Sequence, residues 1–211
     1  MGDSEHRDSY SQSLYSLEIK SVCEEMGWNS ANFLAHSMGG PISIKAASLY
    51  PDLFERLFLL DAVVVVPPDK ARSFSSRNSM VRNNFIYEDF NAAVDSFRLI
   101  PPQPCKNEFL LKHIAEHSFK NTDEGWLLKS DASIMRSYEY EDLTEIFMDL
   151  KCPTYLVYGL MSQILSQEIL EYTTYVGNLP EERVVGIAGA MHHIFIDEPL
   201  VFVKEIKKLL K

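Results

Sequence analysis

Ser37 stands in Ala35-His36-Ser37-Met38-Gly39-Gly40, between a short apolar run, Ala31–Ala35, and a helix-like stretch that starts at Pro41. A serine hydroxyl is a weak nucleophile near neutral pH and needs a neighbouring base to take its proton and later return it. On a sharp strand-to-helix turn the hydroxyl is exposed, and small neighbours such as Ala35 and Gly39 let the backbones approach. The helix N-terminus adds unpaired N–H groups and a positive dipole end, so the N–H of Met38 is a candidate oxyanion donor. Two imidazoles, His192 and His193, follow the apolar run Arg183–Ile187 and could serve as base. A carboxylate that orients the imidazole and offsets its charge completes such a relay. Asp61, directly after the run Arg56–Leu60, is one candidate, and Asp197 and Glu198 are others. A rival motif, His113-Ile114-Ala115-Glu116-His117, has the H-x-x-E-H pattern that can hold zinc on one helical face. It lacks an identifiable third ligand, so it is read as helix packing or surface, and no metal is expected.

These residues need elements to position them. The first helix is predicted over Tyr10–Met26, where Leu14, Leu17, Ile19, Val22 and Cys23 recur near a 3.6-residue period and Gly27 marks the stop. Next come a strand at Ala31–Ala35, a helix over Pro41–Tyr50 and a strand at Arg56–Leu60, which runs on through Asp61 into the apolar Ala62–Val66. Residues 69–149 are polar, aromatic and irregularly helical, punctuated by Pro101-Pro102-Gln103-Pro104, and read as a helical cap or lid inserted between sheet elements. Alternation resumes with a strand at 153–159, a helix at Ser166–Val176, a strand at Arg183–Ile187 and a helix at Pro199–Leu210. Strands alternating with helices predict an α/β fold with a mostly parallel sheet, its core formed by residues 1–68 and 150–211. Strand ends on one edge of such a sheet converge on a single crevice, which Ser37 and Asp61 would share. Phe97, Arg98 and His36 are candidate pocket residues.

Composition narrows the partners. The 211 residues carry 30 Asp+Glu against 20 Lys+Arg, a net charge of −10, and no basic stripe matches a phosphate backbone. Nucleic acid is therefore not an expected partner. No apolar window is long enough to span a bilayer and the first residues are polar, so neither a membrane span nor a signal peptide is expected, and a cytoplasmic location follows. Three cysteines far apart, without a CxxC, suggest reduced thiols.

The elbow at Ala35–Gly40, Gly2-Asp3-Ser4 and the loop Ala188-Gly189-Ala190-Met191-His192-His193 together resemble the α/β-hydrolase superfamily over nearly the whole chain, and the cap is similar to that of bacterial α/β-fold hydrolases. Ala35 departs from the usual first glycine. The resemblance implies that His192 is the base, with His193 beside it, and that the fold's N-terminal strands and their oxyanion loop have no counterpart in this chain. It also implies a departure at the acid, since Ser162 stands where most relatives carry an aspartate. A carboxylate must then come from elsewhere, and Asp61 occupies the position that haloalkane-dehalogenase-like relatives can use.

The expected function is that of a serine hydrolase, carboxylesterase-like, cleaving small, largely apolar esters through a Ser37-His192-Asp61 triad and an acyl-enzyme, without a cofactor. A serine rather than an aspartate at the elbow argues against a dehalogenase or an epoxide hydrolase. Two alternatives stay open: a catalytically impaired, shortened protein or binding module, and a carbon–carbon bond hydrolase.

Overall fold

The computed structural model describes residues 2–70 and 85–211. Among these the strands are, in chain order, β1 (Tyr10–Ser11), β2 (Ala31–His36), β3 (Phe54–Leu60), β4 (Ile86–Tyr87), β5 (Phe119–Thr122), β6 (Gly125–Leu128), β7 (Tyr138–Glu139), β8 (Thr154–Gly159) and β9 (Val184–Ile187). The chain divides into two units, Ser11–Ser75 with Glu139–Lys211, and Met1–Tyr10 with Ser76–Tyr138.

The larger unit is built on an all-parallel sheet in the order β2-β3-β8-β9. Parallel strands covered on both faces read as continuous apolar runs, and β3 shows why: Leu57 and Leu59 point one way, Phe58 and Leu60 the other, and all four are buried. Leu57, Leu59 and Leu156 pack with Ile44, Ala46 and Ala47 of the helix Gly39–Leu49 and with Ile169 and Leu170 of the helix Gln167–Val176. On the opposite face Phe58, Leu60, Val157 and Ile187 meet Ile194 and, from the helix Pro199–Leu209, Phe202 and Ile206. Each such leucine, isoleucine, valine or phenylalanine contributes about 1.5–3 kcal/mol on full burial.

The predicted elements of this unit are found with their ends moved by a few residues. The first helix is Gln12–Glu25, because Ser11 is extended and its Oγ accepts the Leu14 N–H at 3.1 Å as an N-cap. The helix after Ser37 begins at Gly39, two residues before its proline. Ala62–Val66 forms no strand; Ala62, Val64 and Val65 are buried as irregular chain behind Asp61.

A backbone device recurs at the carboxyl ends of the strands. The residue just past each strand donates its N–H to a carbonyl near the end of the next strand: Ser37 to Leu60 at 3.1 Å, Asp61 to Val157 at 2.8 Å and Leu160 to Ile187 at 3.0 Å. The ladder thus extends one rung into the residues that follow it.

The smaller unit differs from the helical insertion expected over 69–149. Alongside the helices Phe90–Ser96 and Glu108–His117 it holds a three-stranded antiparallel sheet, β4-β6-β5, and the chain's first ten residues belong to it. Tyr10 ties them in by donating its hydroxyl to Asp131 Oδ2 at 2.7 Å. Strands of two to four residues are too short for an alternating pattern to stand out. Gly125, at φ +126, is required where a Cβ would fall 2.6 Å from the Tyr87 carbonyl. Residues 71–84 of the expected insertion lie outside the described residues.

Candidate active site

Ser37 leaves β2 at φ 53, in the left-handed region that non-glycine residues seldom adopt. Its N–H is held by Leu60, and its own carbonyl accepts the Gly40 N–H at 2.9 Å, which turns the chain directly into the helix Gly39–Leu49. Close approach falls on a different glycine from the one the sequence suggested. A Cβ on Gly39 would meet only Ala35 Cβ at 4.0 Å, whereas on Gly40 it would fall 2.5 Å from Ala62 Cβ. The tight contact is between the helix and the irregular chain after Asp61, which no local pattern reveals. Met38 sits in the first turn after Ser37, where N–H groups have no intrahelical partner.

His192 lies in the loop after β9, only 2% exposed. Its Nε2 is 3.0 Å from Ser37 Oγ and its Nδ1 is 2.7 Å from Asp61 Oδ2. The loop is pressed against the end of β8: Met161 N–H donates to the Ala190 carbonyl at 3.0 Å, and a Cβ on Gly159 would fall 2.2 Å from the Met191 carbonyl. Asp61 is fully buried at φ 45, a conformation that the short polar side chain of aspartate tolerates better than most. Its Oδ1 accepts the Gly159 N–H at 3.1 Å, and its Oδ2 also accepts the Ser162 hydroxyl at 2.6 Å.

The other candidates fall elsewhere. His193 is buried beside His192 with ring centroids 4.9 Å apart. Asp197 accepts the Met191 N–H at 2.7 Å on its Oδ2, bracing the loop, so it is Asp61 that the structure places on His192 Nδ1. Glu198 precedes the final helix and makes no side-chain cap hydrogen bond there. His36 is bonded through Nε2 to the His192 carbonyl at 3.0 Å, and its ring lies 5.0 Å from Phe195. Burial, with the neighbouring His192 adding to it, pushes the His36 pKa down to about 4, so the ring is neutral near pH 7. Phe97 and Arg98 lie in the smaller unit just after Phe90–Ser96, where Arg98 donates to the carbonyls of Asp95 and Phe97 at 2.7 Å. His113 and His117 lie on a helix of that same unit, with His117 Nδ1 2.8 Å from the His113 carbonyl. Among the described residues no three His, Cys, Asp or Glu side chains are grouped to hold a metal ion, and no helix is long and apolar enough to cross a membrane.

A hydroxyl, an imidazole and a carboxylate in series, beside a helix N-terminus and on the carboxyl edge of a parallel sheet, can deprotonate the serine for attack on a carbonyl carbon. Residues 2–98 match the family model for the alpha/beta hydrolase fold. This is an α/β-hydrolase-fold chain. It is 24% identical over 204 residues to the 2-(acetamidomethylene)succinate hydrolase of Mesorhizobium japonicum, covering 95% of this chain and 71% of that protein. It is also 24% identical over 186 residues to the pimeloyl-[acyl-carrier protein] methyl ester esterase of Wigglesworthia glossinidia brevipalpis, covering 83% and 68%. A solved structure of E-2-(acetamidomethylene)succinate hydrolase superposes with a TM-score of 0.80 at 22% identity, over 99% of this chain and 77% of that one. At these identities the structural likeness establishes the fold. Coverage of the matched curated relatives' own length runs from 28% to 75%.

Two features of the site escaped sequence reasoning. Gly159 was legible as a strand end but not as a donor to Asp61. Ser162 was noted only for the carboxylate it lacks, although a hydroxyl is also a donor.

Proposed function

We propose that this chain is a serine hydrolase of carboxylic esters. Ser37 Oγ attacks the substrate carbonyl while His192 Nε2 takes its proton, Asp61 holds the imidazole through Nδ1, and the Met38 N–H faces the developing oxyanion. His192 then protonates the leaving alcohol, and water, deprotonated by the same imidazole, releases the acid from the acyl-enzyme. No cofactor enters these steps.

The observation that carries this reading is the unbroken series from Ser37 Oγ through His192 to Asp61, with links of 3.0 and 2.7 Å. Ester chemistry is favoured because one relative, at 24% identity, is named a methyl ester esterase. Substrates of small size and largely apolar character are part of the same proposal, as is a cap role for the smaller unit.

A fluorophosphonate probe, which reacts with activated serines, tests it. The wild-type chain is expected to be labelled and Ser37→Ala to stay blank. A folded wild-type chain that takes up no label, and does not hydrolyse 4-nitrophenyl butyrate, sinks the reading and leaves a binding module on the same fold.

A further inference from the structure

A carboxylate that steers an imidazole must itself be held, because its terminal torsion is soft. Asp61 has a backbone donor on one oxygen, Gly159 N–H on Oδ1 at 3.1 Å, while Oδ2 serves His192. A second hold comes from Ser162, whose Oγ lies 2.6 Å from that same Oδ2. The direction of this bond is dictated by the neighbouring backbone. Ser162 Oγ accepts the N–H of Ile164 at 3.2 Å and of Leu165 at 3.4 Å, which occupies both lone pairs and leaves its one proton for Asp61. The hydroxyl is therefore a donor of fixed orientation rather than a free rotor.

We propose that Ser162 is a positioning residue for the hydrolytic site: its hydroxyl locks the Asp61 carboxylate in the orientation at which Oδ2 meets His192 Nδ1. This rests on the triad reading above and deepens it by giving the chain a fourth participant. Ser162 does not touch the reacting atoms; it acts through Asp61. Hydrogen bonds to charged groups are the stronger class, and Asp61 is wholly buried, so water does not readily replace the lost donor.

The test compares wild type with Ser162→Ala, Ser162→Thr and Ser162→Cys in the full chain, by kinetics on 4-nitrophenyl butyrate and by the downfield proton resonance of His192 Nδ1–H. Ser162→Ala is expected to keep wild-type circular dichroism and KM, to lose about 10- to 100-fold in kcat, and to shift or broaden the Nδ1 proton. Threonine, which retains the donor, restores both. Cysteine, of similar size with a weak donor, gives an intermediate loss and serves if the alanine variant does not fold. A kcat and a resonance that both stay at wild-type values in Ser162→Ala, or in Ser162→Cys where alanine does not fold, overturn the proposal. The resonance does not depend on turnover. If the wild-type chain proves unreactive the hydrolase reading fails by itself, while an unmoved or a displaced Nδ1 proton still decides against or for Ser162.

Discussion

Asp61 Oδ2 and His192 Nδ1 lie 2.7 Å apart although 131 residues separate them in sequence, and both side chains are shut away from solvent. The contact joins the end of β3 to the loop after β9, across the intervening strand β8. Asp61→Asn keeps the volume but presents the imidazole with the wrong partner. Its kcat is expected to fall by about 10³- to 10⁴-fold, measured on 4-nitrophenyl butyrate. An asparagine variant within tenfold of wild type removes Asp61 from the relay.

The two glycines after the elbow should respond in opposite ways. Gly40→Ala drives a Cβ to 2.5 Å from Ala62 and 3.2 Å from Val64, and is expected to destabilise by about 1–3 kcal/mol in urea unfolding. Gly39→Ala meets only ordinary contact in a helical position, so stability should hold or rise by up to about 1 kcal/mol. Equal effects at both sites would contradict the close approach assigned to Gly40.

Gly159 combines two duties, since its N–H serves Asp61 and its bare Cα admits the histidine loop. Gly159→Ala places a Cβ 2.2 Å from the Met191 carbonyl, a backbone atom that can yield only if the loop moves. The expected variant is folded, less stable by about 1–3 kcal/mol, and markedly slower toward the fluorophosphonate because His192 is displaced from Ser37. Labelling at the wild-type rate would show that the loop position does not depend on this contact.

His36 predicts a pH effect on stability. Its folded pKa of about 4 lies below the ordinary 6.5, so between those values the unfolded chain takes up a proton that the folded chain does not. Stability is therefore full above about pH 6.5 and declines as pH falls toward 4. At about 1.36 kcal/mol per pH unit the loss is on the order of 2–3 kcal/mol. Urea unfolding at pH 7 and pH 5 should show a steeper decline for wild type than for His36→Gln. Parallel declines would mean that the ring is protonated in the folded state.

How far these features were legible depended on whether the cause was local. The runs at β3 and β8 announced themselves because a covered parallel strand must be apolar on both sides, and Gly27 marked the end of the first helix, whereas its start, capped by Ser11, fell two residues after the predicted Tyr10. Ser37, His192 and Asp61 stood out because each follows a strand and carries a reactive group. Residues joined only through the fold did not. The Ser162 hydroxyl on Asp61 and the Gly40–Ala62 contact link segments with no local sequence relation. The short strands β4 to β6 were hidden for another reason, since a few residues carry too little pattern to distinguish strand from loop.

The rung that each strand end donates to its neighbour has a mechanical corollary. Ser37 and Asp61 are spaced by the separation of adjacent strands, about 4.8 Å, and their relative height is set by the ladder itself. Sliding β2 against β3 by one residue would move the serine by about 3.3 Å and turn its side chain to the other face. Reactivity at Ser37 is thus a gauge of strand registry, able to report a slipped sheet whose circular dichroism is still that of a folded protein.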